Sequence, residues 1–93
     1  MIEFLIHEDS DNVGVAVVET LKKGSTVSGR SVHGSAKPRL KSLSDIPLGH
    51  KIALQDFKVG DTIIKYGVDI GRVVAPIKKG EHVHVHNVKT KRW

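Results

Sequence analysis

Short apolar runs alternate with turn-forming clusters along the whole chain, and the runs have the length of β-strands. Phe4 to Ile6 is a brief apolar start, followed by the turn cluster Asp9-Ser10-Asp11-Asn12. Such side chains bond to nearby backbone and compete with regular structure. Val13 to Val18 is an apolar run interrupted only by Gly14, which predicts a buried strand. Ser28 to Pro38 is rich in Gly, Ser and basic residues and predicts an exposed hairpin loop. Ile46 to His50 leads into a further apolar run, Ile52 to Leu54. Ile63 to Tyr66 and Ile70 to Val74 predict two strands separated by Gly67, and Val83 to Val88 predicts the last strand. No stretch carries a helical period. The place most compatible with a helical turn is Ser44 to Ile46, where Ser44 or Asp45 could cap. The expectation is an all-β fold of short strands and hairpins, forming one domain over residues 1–93.

One pattern recurs three times. Leu21-Lys22-Lys23-Gly24, Phe57-Lys58-Val59-Gly60 and Ile77-Lys78-Lys79-Gly80 are each followed, three positions after the glycine, by an apolar residue: Val27, Ile63 and Val83. This spacing predicts a turn entering a strand, with the glycine taking a positive φ and the flanking apolar side chains packed beneath. The copies are unequally spaced and too few for a solenoid.

Composition narrows the function classes. A chain of 93 residues supports one modest core. Aromatic residues are scarce (Phe4, Phe57, Tyr66 and Trp93), so that core must be built from Val, Ile and Leu. The formal charge of +5, with Lys22/Lys23, Lys78/Lys79, Lys89, Lys91 and Arg92 contributing, suits small anions as well as nucleic acid. Aromatic side chains interleaved to stack bases are missing, which speaks against nucleic acid. Without cysteine there is neither a disulfide scaffold nor a thiolate metal site. No apolar stretch reaches the ~20 residues of a membrane helix, and the N-terminus lacks a signal-peptide pattern. The chain is expected to be soluble and cytoplasmic.

The strongest chemical feature is His82-Val83-His84-Val85-His86-Asn87. On a strand the three imidazoles would line one face about 6–7 Å apart, with Val83 and Val85 in the core. Neutral imidazole is a normal ligand for Fe, Mn or Zn. The bland alternative is a polar strand face that happens to use histidine. His50 and Lys51 follow Gly49 and place a titratable group beside a cation, or else decorate an exposed turn. Lys65 and Tyr66 should face opposite sides of their strand, so only one can share a given pocket. No P-loop, dinucleotide fingerprint or nucleophile elbow is present. His7 and His33 sit in loop-like contexts and receive no role.

Taken together, Ile46 to Leu54, Gly60 to Gly67, Ile70-Gly71 and Gly80 to Val88, with Asp11-Asn12-Val13 near the start, resemble the N-terminal domain of the altronate/galactarate dehydratase family. The resemblance implies a SAF-type β-clip fold. Where that family often carries Glu after Lys-Tyr-Gly, this chain has Val68 and Asp69. The resemblance further implies a free-standing small subunit that works with a large catalytic beta subunit on a small anionic hydroxy acid. Elimination of sulfite from (2R)-3-sulfolactate to give pyruvate is the expected reaction. The alternatives are an altronate-type sugar-acid dehydratase subunit, a non-catalytic SAF-type carbohydrate- or anion-binding module, and a purely structural subunit. His50 is then the candidate acid/base and Lys51 the candidate anion contact. Lys65, Tyr66 and Asn87 are candidate substrate contacts. His82, His84 and His86 are candidate ligands of a divalent metal, Fe2+ or Mn2+, held mainly with the large subunit. Such eliminations abstract the proton beside a carboxylate, so cations or a metal must meet the charge that develops there.

Overall fold

The computed structural model describes residues 1–34 and 37–90. Residues 35 and 36 of the expected loop, and Lys91, Arg92 and Trp93, lie outside the described residues. The strands are β1 (Phe4–Ile6), β2 (Val13–Ala16), β3 (Thr20–Leu21), β4 (Thr26–Ser31), β5 (Arg39–Lys41), β6 (Ile46–Pro47), β7 (Lys51–Ala53), β8 (Thr62–Lys65), β9 (Val68–Val73), β10 (His82–Val83) and β11 (Val88–Thr90). They form a six-stranded sheet in the order β10-β7-β2-β1-β4-β5, a three-stranded sheet β11-β9-β8 and the small pair β3-β6. The all-β expectation holds, and no helix occurs among the described residues.

Alternation along the central strands sends side chains into two separate cores. On β7, Ile52 joins a cluster with Phe4, Leu21, Val27 and Ile46, whereas Ala53 joins one with Val13, Phe57, Ile63, Ile77 and Val83. Gly14 and Gly29 are explained by Phe4. A Cβ at Gly29 would stand 2.1 Å from the Phe4 ring and one at Gly14 2.6 Å, so the two glycines make room for the buried aromatic.

The recurring turns form as expected. Gly24, Gly60 and Gly80 take φ of 88°, 96° and 95°, and Leu21, Val27, Phe57, Ile63, Ile77 and Val83 are all buried. Phe57 and Ile77, which open the second and third copies, are joined by a β-bridge.

The β8–β9 hairpin closes on Tyr66 (φ 56°) and Gly67 (φ 70°), two successive left-handed residues, as a primed turn requires. Tyr66 adopts a conformation that side chains resist, and Asp11 supports it. The buried Asp11 carboxylate accepts hydrogen bonds from the backbone N–H groups of Tyr66 (2.9 Å) and Gly67 (2.8 Å). Asn12 continues the ladder by accepting from Ile64 N–H (2.8 Å) and donating to the Thr62 carbonyl (2.9 Å).

Four expectations are corrected. The run from Val13 is a strand only to Ala16, and Val17 is 41% exposed. The expected loop from Ser28 begins as strand: β4 extends to Ser31, because Gly29 accommodates Phe4 and Ser31 is buried. The helical turn at Ser44 to Ile46 is absent, since Ile46 is consumed by pairing with Leu21. Most importantly, Val83 to Val88 is not one strand. The chain turns at residues 84–87, and Val85 is 71% exposed rather than in the core.

Candidate functional site

The site begins with strand register. β7 and β10 pair antiparallel, with Ile52 opposite His82 and Lys51 opposite Val83. Opposed residues share a face of the sheet. Extending this register by one step sets His50 opposite His84, on the face that carries His82. The ring centroids of His50 and His84 are 4.4 Å apart and stacked, and those of His50 and His82 are 5.0 Å apart. His50 Nδ1 lies 2.9 Å from His82 Nε2, a hydrogen bond in which one ring supplies the proton and the other the lone pair.

Local hydrogen bonds hold each imidazole in place. His50 follows a tight turn in which its own N–H donates to the Pro47 carbonyl (3.0 Å), and its carbonyl accepts from Ala16 N–H (2.9 Å). His82 N–H donates to the Ser44 hydroxyl (3.3 Å). Beyond Val83 the turn is built by Asn87. The Asn87 Oδ1 accepts from His84 N–H (2.9 Å), and Nδ2 donates to the His82 carbonyl (2.8 Å). The buried Asn87 amide thus ties together the backbone of two histidines, and the turn tips His84 over His50.

One nitrogen from each of His50, His82 and His84 lies within 4.8 Å of the other two. This is the one such group of potential metal ligands among the described residues, and it contains no carboxylate. His86 stands outside it, exposed, with its ring 5.3 Å from that of His82. Burial, reinforced by the neighbouring His50, His86, His84 and Lys51, pushes His82 down to about 4. His84 is lowered too, by burial first and then by His50, Lys51 and His86. Both shifts favour the neutral ring, the form that can offer a lone pair to a cation.

Lys51 lies on the opposite face of β7, with Ala53. It lines a pocket of about 230 Å³ with Ile63, Ile70, Val83, Val85, Val88 and Thr90, which His84 also reaches. Burial, followed by repulsion from Lys65, lowers the Lys51 pKa. Lys65 shares a face of β8 with Ile63, and its Nζ stands 5.2 Å from the centre of the Tyr66 ring. Tyr66 is exposed and packs on His7 at 4.2 Å between ring centres, with its hydroxyl 3.4 Å from His7 Nε2.

The fold thus gathers His50, His82 and His84, brings Lys51 to a pocket that His84 also reaches, sets Lys65 near Lys51 and leaves His86 at the rim. Tyr66 lies further out, and the side chain of Asn87 is committed to the turn. Sequence reasoning passed over His7, Ser44 and Asp11 as contributors. Asp11 stands inside a recognisable turn cluster and Ser44 is legible only as a cap, whereas nothing local marks His7.

Residues 2–91 match the family described as the altronate/galactarate dehydratase SAF domain. Over 92 residues the chain is 49% identical to the (2R)-sulfolactate sulfo-lyase subunit alpha of Chromohalobacter salexigens, covering 99% of this chain and 98% of that protein. It is 58% identical over 55 residues to the subunit of the same name from Paracoccus pantotrophus, covering 59% of this chain and 82% of that protein. It is also 41% identical over 90 residues to the altronate dehydratase of Bacillus subtilis, covering 97% of this chain but 17% of that protein.

Proposed function

The chain belongs to the altronate/galactarate dehydratase SAF-domain family, and we propose that it is the small, alpha-type subunit of a two-subunit carbon–sulfur lyase that eliminates sulfite from (2R)-3-sulfolactate to give pyruvate. The observation that carries this reading is the match to a sulfo-lyase alpha subunit over nearly the whole of both chains. The aligned region is only 17% of the altronate dehydratase. The rest of the active site comes from a large catalytic subunit. The chain acts as a single-domain unit in the cytoplasm; among its described residues no helix is long and apolar enough to cross a membrane.

The reaction removes the C2 proton, breaks the C3–S bond and releases sulfite, and the resulting enol tautomerises to pyruvate. Negative charge builds on the substrate carboxylate during proton removal, and the site must meet it. His50, His82 and His84 fit a divalent ion such as Fe2+ or Mn2+. Their donor atoms already converge, the set is all imidazole, and burial favours the neutral rings of His82 and His84. Bound there, the ion supplies a Lewis acid for that carboxylate. We assign His50 to this set as its third nitrogen donor. The base is then a group of the large subunit. Lys51 and Lys65, two cations close enough to repel, are placed to hold an acid that is anionic at both ends. Tyr66 extends that surface, and Asn87 positions His84. Sulfite leaves far more readily than hydroxide, so a sulfo-lyase needs cations more than it needs a strong acid.

The test is co-expression with the cognate large subunit and assay for both sulfite release and 2-keto-3-deoxy sugar-acid formation. Sulfite release from (2R)-sulfolactate by the complex, with the isolated chain inert, is the expected result. A complex that dehydrates altronate and releases no sulfite overturns it.

A further inference from the structure

The pocket beside Lys51 does not end there. It shares Val85, Val88 and Thr90 with a second hollow, which shares Val74, Lys89 and Thr90 with a third that reaches Arg72. The three hollows thus adjoin one another as a groove-like row along the β9–β11 edge, from His84 to Arg72. Its floor is aliphatic. Val85 is 71% and Val74 47% exposed, and away from Lys51 they form a wall suited to apolar side chains.

The rim of this groove is cationic. Arg72 and Lys89 stand directly opposite each other in the β9–β11 register. Like charges in that relationship repel and destabilise the ladder. Among the described residues neither they nor Lys51 has a carboxylate within salt-bridge distance. The Thr90 hydroxyl oxygen, which borders all three hollows, is buried without a hydrogen-bond partner among the described residues. Opposed cations, and a buried hydroxyl without a partner among the described residues, each cost stability, and the exposed valines leave apolar surface in water. A single occupant that is apolar in the middle and acidic at its edges relieves all three.

We propose that this groove is the docking surface for the large subunit, which inserts aliphatic side chains between Val74 and Val85 and flanks them with Asp or Glu against Arg72 and Lys89. The inference rests on the two-subunit reading and adds where the partner sits. Because Val85 lies between His84 and His86 in the turn, a segment seated on it meets the imidazole cluster directly. Docking and completion of the site are then one event.

The experiment uses the complex with the cognate large subunit. Val85→Asp and the double reversal Arg72→Glu/Lys89→Glu alter exposed side chains, so both variants should fold, as checked by circular dichroism and thermal melts of the isolated chain. Each should weaken association at least tenfold by analytical ultracentrifugation. Wild-type association should also fall with added salt, and the double reversal should not share that dependence. Both variants binding the large subunit as tightly as wild type overturns the proposal. So does a wild-type chain that dimerises by itself through Val85 while variant and wild type bind the large subunit equally. A complex that needs Val85 yet releases no sulfite supports the docking surface and refutes the sulfo-lyase reading instead.

Discussion

His50 and His84 stack with ring centres 4.4 Å apart, although they come from different strand ends. They meet because the β7–β10 register places them opposite each other and because Asn87 turns the chain just beyond Val83.

Removing either ring should abolish binding of a divalent ion at the cluster. In the complex, His50→Ala and His84→Ala should lower turnover at least ~100-fold, since even groups that merely support metal ligands are worth 10–100-fold. Titration of the isolated chain with Co2+ should show the binding lost while circular dichroism is unchanged. His86→Ala, outside the compact group, should retain Co2+ binding. Full activity in both His50→Ala and His84→Ala would discard the assignment.

Asn87→Ala should do two things at once. It strips the buried turn of one donor and one acceptor, at a cost of about 1–3 kcal/mol, and it frees His84 from its place over His50. Urea denaturation should register the first effect and a weaker Co2+ affinity the second. Asn87→Asp keeps the acceptor for His84 N–H and loses the donor to His82, so it should fall between Ala and wild type. Unaltered metal affinity in Asn87→Ala would show that the turn does not position the ring.

Stability should rise with pH through the mildly acidic range. His82 is pushed down to about 4 in the folded chain, against about 6.5 when unfolded. Between those values the unfolded state binds more protons, so stability increases with pH and levels off above about 6.5. His84, lowered too, adds the same sign. The urea midpoint should be lower at pH 5 than at pH 7.5, and His82→Gln should reduce the difference. An identical pH dependence in that variant would refute the attribution.

The three matching turns should differ in tolerance. At Gly24 and Gly60 an added Cβ meets nothing within 4 Å, so alanine there costs only the strain of positive φ, about 1–2 kcal/mol. At Gly80 the same atom would stand 2.1 Å from the Lys41 carbonyl oxygen, and Gly80→Ala should cost about 3 kcal/mol or more. Thermal melts of the three variants compare these directly. Equal losses would mean that backbone strain alone decides.

Much of the architecture was legible in the chain itself, because its signals are local. The recurring Lys-x-Gly turns and the buried apolar residue on either side of each are set by φ preferences and by period-two patterning within a few residues, whereas Tyr66, read as a strand residue, is held in the β8–β9 turn by the distant Asp11. The family motifs are likewise contiguous. The site was only half legible. Alternating histidines predict one face only while a strand continues, and where a strand stops depends on its partner. Here β7 pairs with β10 for two residues, and Asn87 then offers His84 N–H a side-chain acceptor in place of a ladder. The turn that follows exposes Val85 and leaves His86 at the margin, while His50 enters from a strand far away in sequence. Tertiary structure also recruited Asp11 to brace the Tyr66–Gly67 turn and opposed Arg72 to Lys89. Those relationships are matters of register, which a one-dimensional pattern of apolar and polar residues does not contain.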